Sequence, residues 1–449
     1  MGRLFGTDGA RGIANTELSC EMALNIGRAA AMALTDSEHS RPKIVIGKDT
    51  RASSDMLEAA LTAGLCSVGA DVMSLGVVPT PAVAYLVKHY NADAGIMISA
   101  SHNPCEFNGI KLFNFEGYKL PDEVEEKIES IVLDQSVPYP SIIGGGVGRV
   151  SKVKTAGRDY IDHIISSCQT PLEGMKVALD CSNGSACKTA KKVFELLGAQ
   201  VYILSCNPDG VNINENCGST HMGDLKEFTV AVKCDVGLAF DGDADRCLAV
   251  DEKGQLVDGD QLIAICANEM KRKGSLAGNT AVVTVMSNMG FFKSCEKNGI
   301  DVAKTKVGDR YVLEEMREHG YCIGGEQSGH IIFSDYATTG DGQLTGIQIL
   351  RIMKESGKTL SELAKVMDIY PQTIINVKVS TYGKARFNDD LEVKNAIEKV
   401  EKELGDTGRI LVRVSGTEPL VRVMLEGKDT AQIQMLAEEV AQVIRERLV

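Results

Sequence analysis

The chain has 449 residues, 44% of them apolar and 24% charged, with a formal net charge of −13. That length exceeds one ordinary core and predicts roughly three or four domains. The charge argues against general nucleic-acid or anionic-membrane binding, so an anionic ligand would need a local basic cluster.

No apolar run reaches the roughly 18 residues of a membrane helix. The opening Met1-Gly-Arg-Leu-Phe-Gly-Thr-Asp8 lacks a signal-peptide core, and Gly6 breaks the myristoylation pattern. Thirteen cysteines, an odd number scattered without C-x-x-C spacing, predict reduced, mostly buried thiols in a cytoplasmic protein.

Taken from the start, Phe5-Gly-Thr-Asp-Gly-Ala-Arg11-Gly12 is a glycine-rich loop carrying one arginine, able to approach a phosphate. Lys43 to Arg51 is an apolar strand and polar loop leading into a helix over 53–69. A second apolar run, Gly95 to Ile98, stops at Ser99-Ala-Ser101-His102-Asn103-Pro104. Pro104 lacks an N–H and drives Asn103 out of the α region, so the chain must turn and present a serine there. On these residues alone Ser99 and Ser101 are equal candidates, and an ordinary turn is equally open. Lys111 follows a turn signal, Asn108-Gly109, that could fold it back to the same point.

The strand–loop–helix pattern recurs at Lys176 to Gly184, leading into 185–197, and at Thr280 to Gly290, leading into 291–298. This alternation predicts α/β layers with mixed sheets. Gly144-Gly-Gly146, the turn Glu252-Lys-Gly-Gln255 and the stretch Asp368 to Pro371 mark joints. The predicted domains are residues 1–150, 151–252, 253–368 and 369–449. The last has a strand from Thr373 to Val379 and a charged helix over 388–404, which suggests a smaller α+β unit.

Phe240-Asp241-Gly-Asp243-Ala-Asp245-Arg246 is the most specific signal. Carboxylates at i, i+2 and i+4 converge on one hard cation when the backbone curls around it. An EF-hand is excluded because Arg246 occupies the position that needs glycine and strand-like flanks replace helices. Three acidic ligands without His or Cys suit Mg²⁺.

Gly324-Gly-Glu326-Gln327-Ser328-Gly329-His330 is a glycine-rich loop with groups fit for sugar hydroxyls; taken alone, a structural glycine turn is the default reading, and His330 is equally a satisfied strand histidine. Its G-x-x-S-G spacing is not the esterase elbow. Gly357-Lys358-Thr359 is no P-loop, since position 352 is Ile. Arg413-Val-Ser415-Gly416-Thr417-Glu-Pro419, with Arg422 beyond, has the composition of an anion cradle.

In order and spacing these five motifs resemble the α-D-phosphohexomutase superfamily, nearest its phosphoglucosamine mutase branch. Gln327 and the Ser-Gly-Thr-Glu-Pro form lean that way, while Val414 stands where the branch usually has proline. The resemblance implies three related α/β domains with mixed sheets plus a smaller C-terminal α+β domain around a central cleft. It implies a phosphoserine at Ser101 and one Mg²⁺ per active site on Ser101, Asp241, Asp243 and Asp245. Arg246 and Arg11 would contact the phosphoryl group, and Lys111 would act as general acid/base with His102 beside it. Glu326, Ser328 and His330 would hold sugar hydroxyls. Arg413, Ser415, Gly416, Thr417 and Arg422 would bind the non-reacting phosphate.

The implied reaction interconverts glucosamine 6-phosphate and glucosamine 1-phosphate through a hexosamine 1,6-bisphosphate, supplying the precursor of UDP-N-acetylglucosamine. Phosphoglucomutase or phosphomannomutase activity is the alternative. The implied partners are a sugar phosphate and a kinase or bisphosphate that primes Ser101. The oligomeric state stays open, with a homodimer as the candidate assembly.

Overall fold

The computed structural model describes residues 3–6, 8–34, 41–415 and 419–449. The described chain forms two compact units: everything up to Met286 together with Gly299–Val366, and Ser287–Asn298 together with Met367–Val449.

The first unit contains three sheets. The first sheet has seven strands in the order Phe5–Gly6, Gly9–Ile13, Phe107–Asn114, Ala94–Ile98, Lys43–Lys48, Asp71–Val77, Val150–Lys152. Lys43–Lys48 runs parallel to both Asp71–Val77 and Ala94–Ile98. The crossovers carry helices Ala52–Ser67 and Thr80–His89, as parallel strands require. All five residues of Ala94–Ile98 are buried, which explains its unbroken apolar run. Phe107–Asn114 pairs antiparallel with it and sets Lys111 opposite Met97. Gly109 is required beside it, since a Cβ there would lie 2.5 Å from the Ser99 carbonyl oxygen. Val150–Lys152 belongs to this sheet, so a division after residue 150 would fall inside a strand.

The second sheet has the order Leu256–Val257, Cys247–Asp251, Val236–Phe240, Lys176–Asp180, Gln200–Leu204. Val236–Phe240 and Cys247–Asp251 are antiparallel with Phe240 opposite Cys247, so residues 241–246 form the hairpin connection. The third sheet has the order Asp301–Thr305, Thr280–Thr284, Ile323–Gly325, Ile331–Phe333, and Gly325 opposes Ile331. The helix expected over 185–197 splits into a short 3₁₀ turn, Ser185–Lys188, and an α-helix, Ala190–Leu196.

In the second unit, strands Gln372–Lys378, Leu420–Gly427 and Gly408–Val414 form an antiparallel sheet with Leu420–Gly427 in the centre. Val421, Val423 and Leu425 bury one face of that strand with Ile433, Val440 and Ile444 of helix Thr430–Leu448. Helix Met289–Asn298 packs here rather than with the preceding domain. The Asn288 amide exchanges hydrogen bonds with Tyr370, and Met289 N–H donates to Glu426 at 3.1 Å. Among the described residues no helix is long and apolar enough to cross a membrane.

Candidate active site

Ser101 stands three residues beyond Ile98, the last residue of its strand, with φ +52°. The left-handed region costs a non-glycine residue of the order of 1 kcal/mol or more and persists only where surroundings dictate it. Here they do. Ser101 N–H donates to Ser99 Oγ at 3.0 Å, and its carbonyl accepts from Arg51 Nη2 at 3.1 Å and Asn214 Nδ2 at 2.9 Å. Ser99 Oγ in turn donates to Asp49 Oδ2 at 2.6 Å, and Arg51 Nε donates to the same oxygen at 2.8 Å. The two serines therefore separate: Ser99 supports the turn, and Ser101 Oγ points to Asp241 Oδ2 at 2.6 Å.

Asp241, Asp243 and Asp245 each offer an oxygen to one place, the three atoms lying within 4.8 Å of one another. All three residues are buried. Thr80 fastens the loop, its N–H donating to the Asp243 carbonyl at 2.9 Å and its hydroxyl to Asp243 Oδ2 at 2.5 Å. Lys111 Nζ lies 2.7 Å from Asp243, 3.1 Å from Asp8 and 3.5 Å from Asp245. Burial opposes the ammonium, but these carboxylates outweigh it and raise the Lys111 pKa. Asp245 is likewise held low against its burial, by Lys111 first and then His330. At Asp241 burial and its two acidic neighbours outweigh Arg246 and the Ser101 hydroxyl, and raise its pKa.

Oδ1 of Asp243 and Oδ1 of Asp245 are buried without a hydrogen-bond partner among the described residues. Orphaned carboxylate oxygens are costly to bury, and a purely oxygen donor set suits a hard divalent cation. The residues therefore fit such an ion.

His102 Nδ1 lies 3.3 Å from Ser101 Oγ and 3.2 Å from Arg246 Nη1. Burial, Arg246 and Arg11 push its pKa down to about 4, so the ring is neutral at pH 7. Arg11 pairs with Asp8, and the Nε atoms of Arg11 and Arg246 are buried without hydrogen bonds.

The loop 324–330 is tied to the acidic hairpin. An isolated bridge joins Arg246 to His330, and Cys247 N–H donates to the Gly329 carbonyl at 3.0 Å. Gly329, at φ +93°, has no room for a Cβ, which would sit 2.4 Å from the Cys247 carbonyl oxygen. Ser328 Oγ has no hydrogen-bond partner among the described residues, and Glu326 Oε1 accepts from Gly308 N–H at 3.1 Å. Gln327 donates to Asp258, which caps helix Gly259–Arg272.

His330 is buried. Its Nε2 accepts from Gly340 N–H at 3.0 Å, leaving the proton on Nδ1, 3.6 Å from Asp245. Of its two readings, sugar ligand or satisfied strand histidine, the second has Nε2 already occupied by a backbone N–H, while Nδ1 faces Asp245 beyond hydrogen-bond distance.

In the second unit, Arg413 and Arg422 are directly opposite across antiparallel strands. Partial burial and the facing Arg422 both lower the Arg413 pKa. Ser415 is buried, with its N–H donating to the Leu420 carbonyl at 2.8 Å. Gly416 and Thr417 lie outside the described residues.

Asp8, Lys119 and Asp309 were not singled out by sequence. Lys119 Nζ reaches Asp8 at 2.6 Å and Asp309 at 2.5 Å, extending the Lys111 network. Asn214 and Thr80 were missed as well. Asp8 lies within a quoted motif, but no local pattern marks the other four.

The descriptions of the phosphoglucomutase/phosphomannomutase family match in chain order: alpha/beta/alpha domain I at residues 2–137, domain II at 158–254, domain III at 258–370 and the C-terminal domain at 374–443. The chain belongs to this family. Among its members, the phosphoglucosamine mutase of Clostridium novyi (strain NT) is 55% identical over 447 residues, covering 100% of this chain and 99% of that one. That of Acetivibrio thermocellus is 55% identical over 448 residues, covering 100% of both. The protein is accordingly an isomerase of the phosphohexomutase kind.

Two solved structures share the fold. A phosphoglucomutase/phosphomannomutase family protein from Burkholderia thailandensis gives a TM-score of 0.82 at 23% identity, covering 99% of this chain and 97% of that one. The Aspergillus fumigatus N-acetylphosphoglucosamine mutase, in complex with GlcNAc-6P and magnesium, gives 0.71 at 17% identity, covering 99% and 96%.

Proposed function

We propose that the protein interconverts glucosamine 6-phosphate and glucosamine 1-phosphate, with Ser101 carrying the phosphoryl group between turnovers. The carrying observation is Ser101 Oγ held 2.6 Å from Asp241 by a turn that leaves its own backbone strained. The full-length relatives at 55% identity, named phosphoglucosamine mutases, supply the choice of sugar.

Asp241, Asp243 and Asp245, with phosphorylated Ser101, would hold Mg²⁺, the ion named with the Aspergillus enzyme. When bound, it neutralises charge on the transferring phosphoryl group. Phosphoserine gives its phosphoryl group to the free sugar hydroxyl, forming the 1,6-bisphosphate and releasing the serine oxygen. The bisphosphate turns over, and its other phosphate returns to Ser101. Lys111, an ammonium at rest because its carboxylates raise its pKa, relays the proton at the sugar oxygen: the attacking hydroxyl's proton passes to the serine oxygen released in the same step, and the second transfer returns it to the sugar oxygen that leaves. Phosphoryl transfer asks mainly for alignment and charge compensation, which Arg11 and Arg246 supply with their unsatisfied N–H groups.

Glu326 and Ser328 hold sugar hydroxyls. Arg413, Ser415 and Arg422, continuing into Gly416 and Thr417, bind the phosphate that does not react. The four domains of this reading keep the joints near residues 252 and 368, with the first joint beyond the strand Val150–Lys152 rather than at 150. Ser101 acquires its first phosphoryl group from a kinase or a hexose bisphosphate. The thirteen free thiols support a cytoplasmic setting.

Rates of the phosphorylated protein on glucosamine 6-phosphate, glucose 6-phosphate and mannose 6-phosphate test this reading. Glucosamine 6-phosphate is expected to be the best substrate. Finding it the poorest would move the protein to the phosphoglucomutase/phosphomannomutase alternative. Protein that never carries phosphate by intact mass and stays inactive after priming with a hexose bisphosphate would remove the mutase reading.

A further inference from the structure

Apart from the acidic ring, the described residues contain one other group of potential ligands with converging donor atoms: Cys181, Cys187 and Cys206, whose sulfur atoms lie within 4.8 Å of one another. The topology produces it. Lys176–Asp180 and Gln200–Leu204 are parallel neighbours with Asp180 beside Leu204, so their carboxyl ends emerge together. Cys181 is the next residue after the first strand, and Cys206 lies two beyond the second. Cys187 comes from the 3₁₀ turn Ser185–Lys188.

Backbone bonds fix all three. Cys181 N–H donates to the Leu204 carbonyl at 3.2 Å, Asn183 N–H to Ser205 at 2.6 Å, and Gly184 N–H to Cys181 at 2.8 Å. Cys181 is buried, while Cys187 and Cys206 are half-buried, so the cluster has an opening to solvent.

We propose that these three sulfurs form a binding site for a thiophilic d¹⁰ cation of the Zn²⁺ class, with a fourth position open to an outside ligand. Three sulfurs at about 2.3 Å from one tetrahedral ion stand about 3.8 Å apart, so a spread of up to 4.8 Å needs only side-chain adjustment. Soft thiolates select such ions over Mg²⁺, so the site does not compete with the carboxylates for the same metal. The cluster is already prepared for charge. The two neighbouring thiols, Lys188 and Lys191 lower the Cys206 pKa, while the thiol neighbours and burial raise that of Cys181. Binding releases the thiol protons.

An apolar filling role, common for buried cysteine, would not need three sulfurs at one point or two of them open to solvent. The loop that carries the site also abuts the acidic hairpin, since Ser185 N–H donates to the Gly242 carbonyl at 2.8 Å. The proposal does not depend on the identity of the sugar substrate.

The test is titration of the reduced, full-length, Mg²⁺-saturated protein with Cd²⁺, following the ultraviolet charge-transfer band that only sulfur ligation produces. The expected result is a band saturating at one equivalent, displaced by Zn²⁺. Cys206→Ser should weaken binding at least about 100-fold, while Cys20→Ser on another domain leaves it intact. If Cys206→Ser folds poorly, Cys187→Ser provides the same comparison. Absence of a saturable band, or an unchanged band in Cys206→Ser and Cys187→Ser, would overturn the site. So would a Cys187–Cys206 disulfide that persists in the reduced protein.

Discussion

At the acidic ring, charges of opposite sign are interleaved: Lys111 serves Asp8, Asp243 and Asp245, and Lys119 serves Asp8 and Asp309. In the C-terminal unit, Arg413 faces Arg422 across a strand pair, two like charges in register. The first arrangement is held by the protein itself, because removing one partner from a buried ion network leaves an uncompensated charge, at about 3–5 kcal/mol. Like charges directly opposite on paired strands oppose each other by roughly 0.2–1 kcal/mol. In the proposed function the contrast separates positioning from capture: the ring would fix reacting groups in advance, and the arginine pair would take up an anion.

The largest effect should come from Ser101→Ala, which lowers turnover by at least about 10³-fold and eliminates phosphate from the intact mass. A variant that retained activity would detach the ring from the chemistry altogether. Asp243→Asn should cost about 10²- to 10³-fold in kcat and raise the Mg²⁺ concentration giving half-activity. Unchanged Mg²⁺ dependence would show that preorganisation by Lys111 and Thr80, rather than ion binding, is what the carboxylate provides.

The scaffold beneath the ring offers a pH test. Asp341 caps helix Gly342–Ser356 and accepts from Tyr160 Oη at 2.9 Å, while Gly342 N–H donates to Ala244 between the metal-loop aspartates. Burial raises the Asp341 pKa to about 6 from an ordinary 3.8. The folded state thus binds the proton more tightly than the unfolded state. The stability from this group is full below about pH 4 and is lost as pH rises through about 6, a swing of about 2–3 kcal/mol. Asp341→Asn keeps a capping oxygen but cannot ionise, so its stability relative to wild type should climb by that amount between pH 4 and 7 in denaturant titrations. A flat difference would mean the carboxylate is already compensated.

The smallest effect belongs to the arginines. Arg422→Ala should raise KM about 10-fold with kcat little changed, the loss of one charge-assisted phosphate contact. A fall in kcat with KM constant would contradict a capture role.

Chemistry carried by contiguous residues was legible in the sequence. The three alternating aspartates and Ser101 with its following turn each lie in one short segment, and the structure gathers them; Asn108-Gly109, expected as a turn, lies instead within the strand Phe107–Asn114, whose antiparallel pairing brings Lys111 there. What was not legible arises from pairing across the fold. Thr80 meets Asp243 and Asn214 meets Ser101 only because separate layers pack, and no spacing along the chain encodes those meetings. The separation of Ser101 from Ser99 depends on a left-handed backbone, which serine does not signal as glycine would. The three clustered cysteines escaped because their spacing follows strand ends rather than a metal motif. Val150–Lys152 is short and exposed, without the apolar periodicity that marks the other strands, so a boundary was drawn through it.

The bridge from Arg246 to His330 has a consequence for redesign. Segment 324–330, which the proposed function makes the sugar-binding loop, shares backbone pairing with the acidic hairpin, and His330 also lies 3.6 Å from Asp245. Grafting this loop from a relative would therefore perturb phosphoryl transfer along with sugar choice. Substrate range in this scaffold should shift more readily by side-chain exchange at 326 and 328 than by replacement of the whole segment.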